Sequence, residues 1–140
     1  MNIFLWTLQI ILSLVCLGSG LFKTIMPEDK LIKSGQTGVQ GLSAATIKFI
    51  GISEILIALG LVLPWYLNIS PVLTPFSAVC FAVIMVLANR AHTKLYIRDN
   101  NVKEKTNARN NLIILALCLV VAMGRAIELF SVLDPIKTTP

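Results

Sequence analysis

Four long apolar blocks, separated by short polar segments, make up most of the chain. Residues 3–22 carry no charge. The second block, 44–63, has Lys48 near its start and Glu54 inside it. The third, 72–88, is again uncharged. The fourth, 112–133, holds Arg125 and Glu128 in its second half. A helix that crosses a bilayer needs roughly 17–25 mostly apolar residues, so each block is long enough. Backbone groups in lipid must pair within the element, and these Leu- and Ala-rich runs show no period-two alternation, which excludes a barrel. The pattern predicts an all-α membrane protein, a bundle of four transmembrane helices in a single domain spanning 1–140.

Composition agrees. The 140 residues are 56% hydrophobic and 14% charged, whereas soluble domains run near 45–50% and about 25%. The first block has no basic segment before it and no Ala-x-Ala site after it, so it is expected to stay as a helix rather than be cleaved.

The net charge of +5 is placed unevenly. Lys23, Lys30, Lys33 and Lys48 flank the first connection, and Arg90, Lys94, Arg98, Lys103, Lys105 and Arg109 flank the third. That is ten of the twelve cations; Arg125 is intramembrane and Lys137 follows the last block. Cytoplasmic loops collect Lys and Arg, so loops 23–47 and 89–111 are expected inside a cell membrane and both termini outside. Juxtamembrane cations account for this charge without nucleic acid as a partner. Trp6, Trp65, Tyr66 and Tyr96 fall where aromatic belts form. The connection 24–43 begins with Pro27-Glu28-Asp29-Lys30, a turn or the start of a short helix, and continues through a flexible Ser34-Gly35-Gln36-Thr37-Gly38 stretch. The polar segment 97–109 is expected to be a mobile loop.

Cys16, Cys80 and Cys118 lie in three different blocks and form no C-x-x-C pair, which leaves them as packing residues rather than a dithiol. His92 is the single histidine, too few for a two-His metal or haem site, and no metal site is expected. Neither long connection holds a phosphate loop or a catalytic triad.

Chemistry gathers instead in the apolar blocks. Ionisable side chains there are costly and mark functional sites by default. Gln9, Ser13, Cys16, Gly20 and Lys23 share one face of the first helix at spacings of three and four, a small and polar packing stripe. Counting 1.5 Å per residue from the expected outer ends puts Glu54 roughly 14 Å deep, Arg125 roughly 12 Å and Gln9 roughly 9 Å. The expected site is therefore a cluster in which Glu54 pairs with Arg125, with Gln9 beside them and Glu128 as a shallower partner. Lys23, Lys48 and His92 are candidate contacts at the inner end.

These residues resemble the DoxX-like family of small four-helix membrane proteins. The likeness is carried by Gln9 and Gly18-Ser19-Gly20-Leu21-Phe22-Lys23. Next come Lys48-Phe49-Ile50-Gly51 leading to Glu54, Ala58-Leu59-Gly60-Leu61-Val62-Leu63-Pro64, Pro71-Val72-Leu73-Thr74-Pro75, then Met85, Ala88, His92 and Gly124-Arg125. Lys48 stands where many relatives have Arg, a point charge in place of a bidentate fork. The wider group includes a small subunit of thiosulfate:quinone oxidoreductase and distant eukaryotic assembly chaperones. The resemblance therefore implies an accessory, quinone-contacting subunit of a membrane oxidoreductase complex, with a membrane or cytoplasmic redox partner. A structural or chaperone-like protein without chemistry is the alternative, and a small proton-coupled exporter a further one. Homo-oligomerisation stays open, and no catalytic residue is carried over.

Overall fold

The computed structural model describes residues 2–133; Lys137 lies outside them. The chain forms α1 (Ile3–Ile25), a short α2 (Glu28–Lys33), a single 3-10 turn (Thr37–Val39), α3 (Ala44–Leu67), α4 (Leu73–Asp99) and α5 (Val102–Leu133). Four of these, α1, α3, α4 and α5, are long and apolar enough to cross a membrane. The protein is a multi-pass membrane protein with an up-down-up-down bundle. α1 packs chiefly on α3 and α4 on α5; α3 against α4 and α1 against α5 close the ring.

Local chemistry sets the helix ends. The Asn2 side chain accepts from the Leu5 N–H, and Ser43 does the same for Thr46, each satisfying one orphan donor of a first turn. α1 stops at Met26, before Pro27, which disfavours helical backbone in the preceding residue. Asn68 and Asn100 close α3 and α4 in the left-handed conformation, at φ 53° and 49°, where Asn is tolerated better than most side chains.

All four spanning helices run past the expected apolar blocks, α1 by three residues to Ile25 and the others as follows. α3 continues through Pro64 to Leu67, the missing N–H of proline being lost only near the end of the helix. The 97–109 segment is not a mobile loop. Asn100 caps α4, and the Asn101 side chain accepts from the Lys103 N–H at 3.0 Å to begin α5. The connection thus shrinks to a two-residue turn. At 1.5 Å per residue, the 27 residues of α4 and 32 of α5 extend about 40 and 48 Å, beyond a hydrocarbon core of about 30 Å.

The first connection folds as well. Leu31, Val39 and Ile47 form a small separate core beneath α2 and the 3-10 turn, with Met26 and Leu42 against it. Gly35 and Gly41, at φ 97° and 79°, make the reversals that let this segment fold back over the bundle. The main core is built from Leu12, Cys16, Ala58, Leu61, Ala78, Phe81, Met85, Cys118 and Val121. Outward faces stay apolar, with Phe4, Leu14, Leu56, Phe76, Leu87, Ile113 and Ile127 all exposed, as lipid contact requires.

α1 and α3 interlock through the small and polar stripe of α1. Gln9 Nε2 donates to the Leu61 carbonyl at 2.6 Å, Ser13 Oγ to that of Ala58 at 2.8 Å, and Cys16 Sγ to that of Glu54 at 3.2 Å. Deeper along, Gly20 and Gly51 cross so closely that a Cβ on Gly20 would sit 2.7 Å from the Gly51 oxygen. Small residues permit that approach, and side chain-to-carbonyl bonds hold it. Gly60 against Ser77 sets α3 on α4, and Asn89 Nδ2 donating to the Ala108 carbonyl at 2.7 Å sets α4 on α5. In this register Lys23, Lys48, Arg90 and Arg109 fall within a turn of one level, one cation per spanning helix. This is the basic end of the bundle; the other is the terminal end.

Candidate functional site: two polar centres

The intramembrane charges form two centres, not one. At the terminal end Arg125, 1% exposed, reaches from α5 into the bundle. Its Nε donates to Gln9 Oε1 at 2.6 Å, and one terminal nitrogen bonds Glu128 at 2.5 Å, a partner one turn on. The guanidinium carbon lies 4.4 Å from the Trp65 ring centre and 5.2 Å from that of Trp6. A cation between two aromatic faces in a dry setting is favoured by about 2 kcal/mol or more. Because Gln9 also holds the Leu61 carbonyl, Arg125 ties α1, α3 and α5 together. Its second terminal nitrogen has no hydrogen-bond partner among the described residues.

Glu54 belongs to the other centre. Lys23 Nζ donates to both of its carboxylate oxygens, at 2.7 and 2.9 Å, and to Ser19 Oγ at 2.7 Å. The expected Glu54–Arg125 pair is therefore corrected. Arg125 sits level with Trp65, and Glu54 lies about 11 residues below it on α3, roughly 16 Å along the axis. The sequence estimate placed the two residues at one depth because it ended α3 at Leu63 and took Leu133 as level with that end, whereas α5 runs past it. Lys23, expected as an inner-end contact, turns its ammonium inward because the buried carboxylate is a better partner than the headgroup layer.

The Lys23–Glu54 pair faces a cavity of about 580 Å³ in the basic half of the bundle, within the usual range for small-molecule sites. One wall is the folded 35–42 segment. Ile50, Ile84, Met85 and Leu87 supply apolar sides, and Asn107, Asn110 and Asn111 add a row of amides from α5. His92 lines the same space. Its Nδ1 lies 2.6 Å from Glu104 Oε2, and the Thr37 hydroxyl donates to Glu104 at 2.9 Å. Gly38 packs onto the imidazole, where a Cβ would stand 3.1 Å from Nε2. Gln36 Oε1 and Asn111 Nδ2, both from residues lining the cavity, are buried without a hydrogen-bond partner. Buried polar atoms ordinarily have a partner, so these two, an acceptor and a donor, are available to a group bound in the cavity.

Of the sequence candidates, the structure joins Gln9, Arg125 and Glu128 in one centre and Lys23, Glu54 and His92 around the other. Lys48 belongs to neither; it is exposed at the basic boundary. Thr37, Glu104 and Asn107 were missed because they lie in segments expected to be loop; Asn111 was expected on one face of the last helix with Cys118, Ala122 and Arg125, but not as part of a site. Their signal was present: Asn107, Asn110 and Asn111 share a helical face once α5 starts at Val102. Cys16 and Cys118 are buried and Cys80 half-buried, all three free. Among the described residues no group of three His, Cys, Asp or Glu side chains gathers as a metal site.

A four-helix bundle with a buried arginine cluster at one end and an apolar-walled cavity carrying a few polar groups at the other is a small multi-pass membrane protein. Its family follows from the sequence: the model of the DoxX-like family matches residues 7–123, and the chain belongs to that family. No curated protein and no solved structure matches it.

Proposed function

We propose that this DoxX-like protein is an accessory membrane subunit of an oxidoreductase complex, and that its cavity receives the headgroup of a quinone-class compound. The observation that carries this reading is the donor set around one apolar-walled space. It comprises an unpartnered amide donor on Asn111, the Lys23–Glu54 pair and the His92–Glu104 pair. When bound, such a headgroup supplies a carrier of two electrons and two protons. Asn111 would hold one of its carbonyl oxygens, and the Lys23 ammonium, whose three protons go to Glu54 and Ser19, would act on the other through its charge. Ile84 and Met85 would keep water from its ring. His92, bonded to Glu104, would exchange a proton with one of the oxygens, and the Lys23–Glu54 pair would set the charge beside the ring. Electrons would come from a partner protein at the basic end.

Both carboxylate oxygens of Glu54 are engaged by Lys23, which weighs against the exporter reading, where that carboxylate must exchange its proton for a cation. The charge asymmetry supports a cytoplasmic basic end and outer termini. A Lys103→Cys variant should react with a membrane-impermeant maleimide only after permeabilisation.

Native mass spectrometry of the full chain, gently extracted from its own membrane, tests the ligand. Wild type should carry a quinone or take up a short-tailed analogue. Asn111→Leu and Glu54→Gln should each retain at least about tenfold less, the effect of one lost buried hydrogen bond to a charged or orphaned group. A wild type that binds no quinone, with a Glu54→Gln variant that merely assembles poorly, would replace this reading with a structural role.

A further inference from the structure

A second recess lies outside the bundle, on the far side of the wall that closes the cavity. It is a groove of about 740 Å³ between α4 and the 37–42 segment. Arg90, Lys94 and Arg98 line it at a spacing of four, on one face of α4. Arg98 is committed: it bonds the Asp99 carboxylate at 2.7 Å and the Gln40 side chain at 3.4 Å. Arg90 and Lys94 are exposed and have no hydrogen-bond or ion-pair partner among the described residues. No acidic side chain lines the groove.

The same face of α4 continues into the bilayer. Phe76, Val79, Val83 and Leu87 are all exposed, and the stripe passes from Leu87 to Arg90 without a break in helical phase. The change from apolar to cationic falls at the level of Lys23, Lys48 and Arg109, where the apolar slab ends. A single stripe thus offers an alkyl-binding surface below and two uncompensated cations above, at the depth where lipid phosphates lie. Thr93 and Asn89 add hydroxyl and amide groups beside the cations.

We infer that this groove is a binding site for an anionic phospholipid. Its phosphate would sit between Arg90 and Lys94, with its chains along Leu87, Val83 and Phe76. Basic recesses at the membrane boundary recognise anionic headgroups in this way. The inference is independent of what the inner cavity binds. It has one structural corollary: Gly38, Leu42 and Ala91 line both spaces, so a lipid seated in the groove would brace the cavity wall.

The test is native mass spectrometry of the full-length protein titrated with phosphatidylglycerol or phosphatidylcholine. Phosphatidylglycerol should bind on the order of tenfold more tightly. The double variant Arg90→Gln/Lys94→Gln should lose that preference, since each juxtamembrane cation contributes a several-fold factor. Lys30→Gln/Lys33→Gln removes the same charge from exposed α2 positions away from the groove and should keep the preference. Surface substitutions of this kind leave stability nearly unchanged. Equal retention of the two lipids by wild type would overturn the inference. So would an equal loss in the α2 variant, which would reduce the effect to net charge. Displacement of the lipid by inorganic phosphate alone would make this a free-anion site and overturn the lipid assignment.

Discussion

Arg125 and Glu54 are both 1% exposed within spanning helices, yet they do opposite things to their surroundings. Arg125 fills its end of the bundle. Its neighbours are a glutamine amide, a glutamate one turn away and two indole rings. Glu54 is held by a lysine from the boundary, and beside that pair the bundle stays open. The difference comes from the shape of the partners. A planar guanidinium stacks on aromatic faces while its edges bond in plane, so it seals a helix junction. An ammonium and a carboxylate bond tip to tip and leave their flanks for something else. A buried charge in a membrane helix is therefore a closure or a site, according to whether its surroundings are fully packed.

The sharpest way to break this comparison is Arg125→Leu. It removes the cation from both rings, leaves Gln9 Oε1 without its donor and unpairs Glu128. We expect a loss of about 3 kcal/mol, or failure to assemble, as for other buried pairs cut on one side. Denaturant unfolding in detergent reads it. A change below about 0.5 kcal/mol, the range of an unremarkable surface substitution, would show that the terminal end is not held by this residue.

Gly20→Ala comes next. Its new methyl would lie 2.7 Å from a backbone oxygen that cannot turn aside. α1 and α3 must separate, at a cost of about 1–3 kcal/mol. Both polar centres depend on the register of this pair, so both should suffer: looser Arg125 packing, seen in Trp fluorescence, and weaker Lys23–Glu54 contact. Loss at one end alone would show that the ends are set independently.

Glu54→Gln sharpens the contrast from the cavity side. Lys23 is 13% exposed and starts at the boundary, so a stranded ammonium can turn outward to the headgroups. Stability should fall by only about 1–2 kcal/mol, while occupancy of the cavity falls at least tenfold. The reverse order, a large stability loss with unchanged ligand retention, would make Glu54 a second closure.

Which parts of this were legible in the sequence follows from periodicity and depth. The four spanning helices and the basic end were plain, because apolar run length and flanking charge are strong signals. The stripe of Gln9, Ser13, Cys16, Gly20 and Lys23 predicted the α1 packing face, and the structure places Gln9, Ser13 and Cys16 on α3 carbonyls. The neighbours of Arg125, Gln9 and Glu128, were also within reach. The partner of Glu54 was not. Depth was counted from assumed helix ends, and an error of a turn at each end is enough to move one charge past another. The helical continuation of α4 and α5 beyond the membrane was hard to read for a different reason. The ends of α4 and α5 beyond the membrane carry polar residues on every face, so they show no apolar period, and only Asn100 and Asn101 announce that one helix stops and the next begins.

The 35–42 wall of the cavity supports the smallest and most local effect. Thr37 is the point at which the 35–42 segment is fastened to the bundle, through a hydroxyl that donates to Glu104 at 2.9 and 3.0 Å. Thr37→Val keeps the shape and removes the donor. Glu104 retains His92, so no buried carboxylate is stranded, and the global cost should be about 1 kcal/mol, one ordinary hydrogen bond. The loss should be confined to the segment. Amide exchange over 35–42 should quicken roughly fivefold, the equivalent of that energy, with exchange near Arg125 unchanged. Exchange that rises equally at the terminal end would mean that the two centres open together and that the closure and the cavity are parts of one cooperative unit. Exchange that rises only over 35–42 would make this segment the movable wall of the cavity, with Glu104 as its anchor on the bundle.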